Sequence, residues 1–283
     1  MAKIEMSVIT RGRIPRGVER EIANTLHDCY RRFGSKSPYK VGVFVAENAA
    51  MIRDFLREEK FRLGINITDD EESVCYYDVW QGYPRISVCL ERLTEFSKLA
   101  RQGALRHEAA HSVLHGSLEY RIFRIPENCR QIALIKGIDS TVLEQVIYKL
   151  SGAVKDCEAS IFLVDHDFID CQAAFGLEWV WFPKEDKAIS AAAATDRQAK
   201  FIYQTALLRP ILFAHPLLSL PKAKKISLER QVLLGRRVEE LVERLSGSEQ
   251  GRLLQVANLI AEGLTQDTHQ NVDSALHQAM SLA

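Results

Sequence analysis

The sequence predicts an α+β fold: a mixed sheet packed against one histidine-bearing helix, followed by a mainly helical C-terminal subdomain. Three observations point there. Strand and helix patterns alternate as far as Gly116. Two strand patterns, Val74 to Trp80 and Arg85 to Leu90, are separated only by Gln81-Gly82-Tyr83-Pro84, a gap that suits a hairpin with a slightly longer loop. From Lys187 onward the apolar spacing is helical throughout. Such alternation lays helices on a sheet, and the change of pattern divides the chain into 1–183 and 184–283.

The elements follow in order. Ile4, Met6 and Val8 alternate and predict a first strand. Ile22, Leu26 and Tyr30 recur at helical spacing in Val18 to Phe33, and Gly34 ends that run. Lys40 to Val45 reads as a strand, and Ala46 to Leu63 as an amphipathic helix that stops at Gly64. Asp69 to Glu72 is an acidic, solvated turn, and the hairpin follows. A helix is then expected from an N-cap at Thr94, with Phe96, Ala100, Gly103, Ala104, Val113 and Leu114 as its apolar stripe and Gly116 just past its end. Ile86 to Leu90 is the candidate for a free sheet edge able to pair with an extended peptide, with an internal strand as the alternative. Tyr120 to Ile138, interrupted by Pro126, reads as a loop with a short helix. Thr141 and Glu144 form a possible capping box for a helix reaching about Val164.

In the last third, Glu178 to Pro183 is an aromatic run expected to pack rather than to form an exposed platform. Four helices are expected over 187–208, 228–245, 249–263 and 267–282. Pro210, Pro216 and Pro221 would punctuate the first connection, and Ser227 and Ser248 would be N-caps. Lys222 to Lys225 is read as a solvated turn, and His215 as a loop histidine.

Composition narrows the function. The chain has 283 residues, with 37 Lys plus Arg against 37 Asp plus Glu. That zero balance argues against a nucleic-acid partner. Met1 to Met6 lacks the apolar core of a signal peptide, and no window has the uncharged length of a membrane span. The expectation is a cytoplasmic protein with no membrane partner; its oligomeric state is left open. None of the six cysteines forms C-x-x-C, which disfavours a cysteine zinc site or a redox dithiol. Cys75 and Cys89 fall in strands as small core residues, and a disulfide between them stays open.

The chemistry concentrates in His107-Glu108-Ala109-Ala110-His111. Residues four apart on a helix lie one above the other, so His107 and His111 can aim two imidazoles at one Zn²⁺. Glu108 sits about 100° round the helix. It can take a proton from a water on the metal without being a ligand itself. Two nitrogens leave room for a third protein ligand. Glu158 is the candidate. Its neighbours Val154, Ile161 and Phe162 are apolar, so its carboxylate needs a cation or hydrogen bonds; a salt bridge is the alternative to zinc. Asp156, His166 and Glu127 are rivals. His115 lies about 12 Å along a straight helix from His107. It is therefore read as supporting the ligands or meeting the helix terminus, and His166 as a possible transition-state donor.

These residues carry a resemblance. His107 to His115 resembles the H-E-x-G-H-x-x-x-H helix of the ImmA/IrrE-type metallopeptidases, and Glu158-Ala159-Ser160-Ile161-Phe162 resembles the family's downstream ligand helix. The pattern is that of compact gluzincins. It covers about 55 residues, with Ala110 where the family has glycine, no proline closing the ligand helix and Phe162 at the position of a gluzincin aspartate. The resemblance implies a zincin-like domain over 1–183, zinc held by His107, His111 and Glu158, and Glu108 as general base. The implied activity is hydrolysis of a peptide or protein substrate. A proteolytically inactive zincin-fold protein, with structural zinc and a binding or regulatory role, is the alternative. A regulator bound to another protein or to nucleic acid is a third, which the neutral charge disfavours.

Overall fold

The computed structural model describes residues 4–64, 74–179, 193, 195–220 and 226–283. The acidic turn at 69–72, the aromatic run beyond Trp179, the first residues of the helix expected from 187 and the basic turn at 222–225 lie outside them. The chain divides into two compact units. One holds residues 1–118 and 165–175; the other holds 119–164 and 176–283. Both units are discontinuous in sequence. The helix bearing Glu158 belongs to the second unit, and residues 165–175 return to the first.

The first unit is α+β. Its mixed sheet has the order β1-β2-β4-β3, from β1 (Glu5–Arg11), β2 (Lys40–Ala46), β3 (Cys75–Asp78) and β4 (Arg85–Cys89). β1, β2 and β4 run parallel and β3 is antiparallel to β4. β4 therefore has partners on both sides. The expectation of a free edge at Ile86 to Leu90 is corrected: β1 and β3 are the edges. The parallel crossovers need helices, and α1 (Arg16–Phe33) and α2 (Ala49–Leu63) supply them. The period of two then sorts side chains by face. Phe44, Ala46 and Cys89 pack with Ile52 and Leu56 of α2, and Phe55 stacks on Phe44. The residues between them face the opposite side.

Cys89 leads into a one-turn helix, α3 (Leu90–Leu93), and Thr94 closes it. Thr94 is thus a C-cap. The histidine helix, α4 (Lys98–Leu114), is capped by Ser97, whose hydroxyl accepts from the Ala100 amide. The local signal near the start was correctly polar but assigned to the wrong turn, because Leu90 to Leu93 folds as a helix of its own. α7 (Ile169–Trp179) approaches α4 closely through Gly103. A Cβ there would lie 2.1 Å from the Cys171 carbonyl oxygen and 2.7 Å from the Phe175 Cβ. The Gln172 amide donates to the Gly103 carbonyl at 2.8 Å.

The second unit is helical throughout its described residues. A 3₁₀ turn (Leu118–Arg121), a loop and α5 (Glu127–Ile135) match the expected loop with a short helix, and α6 runs Ser140–Asp165. α6 begins a residue before Thr141, with the Asp139 carbonyl accepting from Leu143. Then come α8 (Arg197–Leu218), α9 (Leu228–Val242), α10 (Gly247–Glu262) and α11 (Thr268–Ala279). α8 passes through Pro210 and Pro216, the second correction to a local signal. Each proline removes a helix hydrogen bond, but Phe201, Leu208, Leu212, Phe213 and Leu217 on that helix are buried, and their packing outweighs the lost bonds. His215 is accordingly helical. Ser227 caps α9 as expected; α10 is capped by Ser246 instead of Ser248, in a reciprocal box with Glu249. All six cysteines are free thiols, Cys75 and Cys89 included. No helix among the described residues is long and apolar enough to cross a membrane.

Candidate metal centre

α4 buries a line of polar groups. His107, Glu108, His111, Ser112 and His115 are all buried, with Ala104, Ala109 and Ala110 as small spacers. The four-residue spacing brings the Nε2 atoms of His107 and His111 within 3.1 Å of each other. Neighbouring nitrogens in a tetrahedral zinc shell, with bonds of about 2.0–2.1 Å, stand roughly 3.3 Å apart. The pair therefore fits two adjacent corners of such a shell without rearrangement.

His115 continues the line differently from a straight helix. α4 ends at Leu114, and the His115 backbone leaves the helical region at φ −126° and ψ 26°. Its Nδ1 comes within 3.1 Å of the Nδ1 of His111. Gly116 permits the turn: a Cβ there would meet the Ser112 carbonyl oxygen at 2.2 Å and Pro84 at 2.9 Å. His111 is thus held at both nitrogens. A bond to the far nitrogen fixes the tautomer and the aim of a ligating imidazole. Tyr77 of β3 stacks on the His111 ring, with centroids 4.7 Å apart and planes 10° apart. Its side chain reaches α4 because β3 alternates and Tyr77 falls on the face opposite α2.

Glu108 lies between the two histidines on the helix. Burial pushes the Cys75 thiol well up, and the Glu108 carboxylate pushes it further. Burial also holds Tyr30 above the ordinary tyrosine range; the bond to Ser112 opposes this, while Cys29 and then Glu108 add to it. The Tyr30 and Ser112 hydroxyls lie 2.7 Å apart, tying α1 to α4 one residue beyond His111. At the other end Arg106 meets Asp28 at 3.6 Å, donates to the Cys171 sulfur at 3.1 Å and lies over the Phe168 ring. His166 packs edge-on against Phe33 at the end of α1, with centroids 5.1 Å apart.

In the second unit, α6 displays its carboxylates in opposite directions. Glu158 turns toward α11: its Oε1 accepts from the Asn271 amide at 2.6 Å and its Oε2 from the Thr268 hydroxyl at 2.9 Å. Burial raises the Glu158 carboxyl, and these two bonds oppose the rise. Asp156, two residues earlier, stands about 160° away round the helix. Its Oδ2 accepts from Arg209 of α8 at 2.6 Å. Between them Lys155 donates to the Tyr120 carbonyl at 3.3 Å, and burial lowers it to about 7, helped by Arg121. Glu127, the remaining rival, begins α5 and accepts from Gln131.

Sequence alone does not mark Tyr77, Tyr30 or Arg106 as site residues. Tyr77 had a usable signal, since it sits in the strand preceding the motif and has the parity of the α4 face. The other two depend on contacts from α1 and α7, separated by 65 or more residues. No protein-family profile, curated protein or solved structure matches the chain.

Proposed function

We propose that the protein is a zinc-dependent peptidase of the gluzincin kind, with His107 and His111 as two of the ion's ligands. The observation that carries this reading is the 3.1 Å spacing of their Nε2 atoms on one buried helix turn, with a carboxylate at the intervening Glu108. A zinc ion held there would act as a Lewis acid toward a carbonyl and lower the pKa of a water molecule. With zinc bound there, Glu108 would take a proton at its carboxylate and pass it to the leaving amine. His115, at the Nδ1 of His111, holds the aim of that ring. Tyr77 limits rotation of the same ring. β3, the sheet edge beside His111, is the strand to which an extended peptide backbone would add.

The sequence names Glu158 as the third ligand and Asp156 as its rival, and Asp156 is held by Arg209. Glu158 is committed at both oxygens to α11. Zinc content measured on purified wild type, D156N and E158Q separates the two. One ion per chain in wild type and E158Q, with loss in D156N, supports Asp156; the reverse pattern returns the role to Glu158. Glu108→Gln must retain zinc while losing hydrolysis, and wild-type cleavage by that variant would sink the mechanism.

One observation favours a second reading, in which the zinc is structural and the chain a binding or regulatory protein: Glu108 and both histidines are buried. Loss of thermal stability on chelation, with no cleavage of a diverse peptide library, selects it.

A further inference from the structure

We propose that β1 is the contact between two copies of this chain, paired antiparallel about Val8. Among the described residues β1 has one strand neighbour, β2, and its outer edge is open. The edge is seven residues long and mostly exposed, including Val8 and Ile9. It has no proline, no lysine and no bulge to blunt it, and its charges, Glu5 and Arg11, stand at its two ends.

The backbone sets which groups are free. The Glu5 amide donates to the Tyr39 carbonyl, and the Arg11 carbonyl accepts from Glu47. Odd-numbered residues of β1 therefore turn their amides and carbonyls toward β2. In a parallel pair both groups of a residue point the same way. Met6, Val8 and Thr10 consequently present theirs at the open edge. An antiparallel partner centred on Val8 matches Met6 with Thr10, Val8 with Val8 and Thr10 with Met6. Every outward group then lies in a hydrogen-bonded pair.

The same register sets Glu5 opposite Arg11, twice by symmetry. Both are odd-numbered, so they share a face and fall in the pairs without hydrogen bonds, where side chains stand closest. Each has an intrachain neighbour, Glu5 with Lys40 at 3.5 Å and Arg11 with Glu58 at 4.0 Å. These are exposed pairs that bind weakly. The strand is self-complementary in hydrogen bonding and in charge, as an isologous two-fold contact requires. Two four-stranded sheets would join as one of eight.

Sedimentation velocity of the full chain over a concentration series tests this. A monomer–dimer equilibrium is expected. Val8→Pro removes the central donor on the open side and leaves the bonds to β2 intact; it should abolish the dimer while circular dichroism stays unchanged. Glu5→Lys should weaken dimerisation on the order of tenfold, and Glu5→Lys combined with Arg11→Glu should restore it. The charge exchange decides the matter even if the proline variant does not fold. A chain that stays monomeric overturns the proposal, whether because another segment covers the edge or because nothing does. So does a dimer indifferent to the charge exchange.

Discussion

α4 and α6 both bury charged and polar side chains, yet they satisfy them by different means. On α4 the histidines meet one another at i and i+4: His107 with His111, and His111 with His115. On α6 the groups are matched from far along the chain. Asp156 meets Arg209, while Glu158 meets Thr268 and Asn271. A buried polar group costs free energy until it is matched. A helix can match its own groups only at its own period. The lesson is that chemistry written at helical spacing survives isolation in the sequence, whereas a lone carboxylate on an apolar stripe does not reveal its partner.

Sharp tests of this contrast begin with the self-contained helix. Under the peptidase reading, Glu108→Gln should lower hydrolysis by about 10²–10⁴-fold in a steady-state peptide assay. His111→Ala should abolish zinc binding in metal analysis, because the ring is shared by His107, His115 and the ion. If His111→Ala binds zinc like the wild type, the line of histidines is only a chain of hydrogen bonds.

Gly103→Ala should come next. The added methyl would press on the Cys171 carbonyl, which is backbone and cannot rotate away. A loss of about 1–3 kcal/mol or more in urea unfolding is expected. A neutral result would mean that α7 does not bear on α4 as described.

The distant matching on α6 should show as stability. Glu158→Ala leaves Asn271 and Thr268 without their carboxylate. It should cost about 1–3 kcal/mol by the same measurement. A neutral result would show that those two bonds carry little net stability.

The smallest effect belongs to a second local device, the capping box of α10. Lys200, Ser246 and its backbone amide hold Glu249 down to about 2. Its folded value lies below the unfolded one, so its contribution is present above about pH 4.5 and is lost as pH falls toward 2. Its partner Lys200 is exposed, so screening keeps the effect below about 1 kcal/mol. Glu249→Gln should lower neutral stability by less than about 1 kcal/mol and flatten the acid limb of a stability–pH curve by the same amount. A large loss at pH 7 would show that the box does more than cap.

Much of the architecture was readable in advance. A short valine-rich run marked Lys40 to Val45 as a strand, and Gly34 and Gly64 ended helices where the backbone turns to positive φ. The mixed sheet followed from the hairpin after two crossovers. The reading failed where packing at long range overruled a local cue. Pro210 and Pro216 are carried inside a helix by their buried neighbours. β4 became an interior strand because β3 folds back on one side and β2 takes the other. No residue-by-residue cue encodes strand order, since it depends on which edges meet.

The candidate site divides along the same line. His107, Glu108 and His111 could be named from their spacing because the helix repeat is a property of the backbone. Glu158 and Asp156 look alike in sequence, both carboxylates on one buried helix. Their directions differ by nearly half a turn, and the residues that hold each lie 53 to 113 positions away. Only folding brings Asn271 and Thr268 to the one and Arg209 to the other. Side-chain spacing within a helix is local geometry; the identity of a distant partner is the outcome of chain closure.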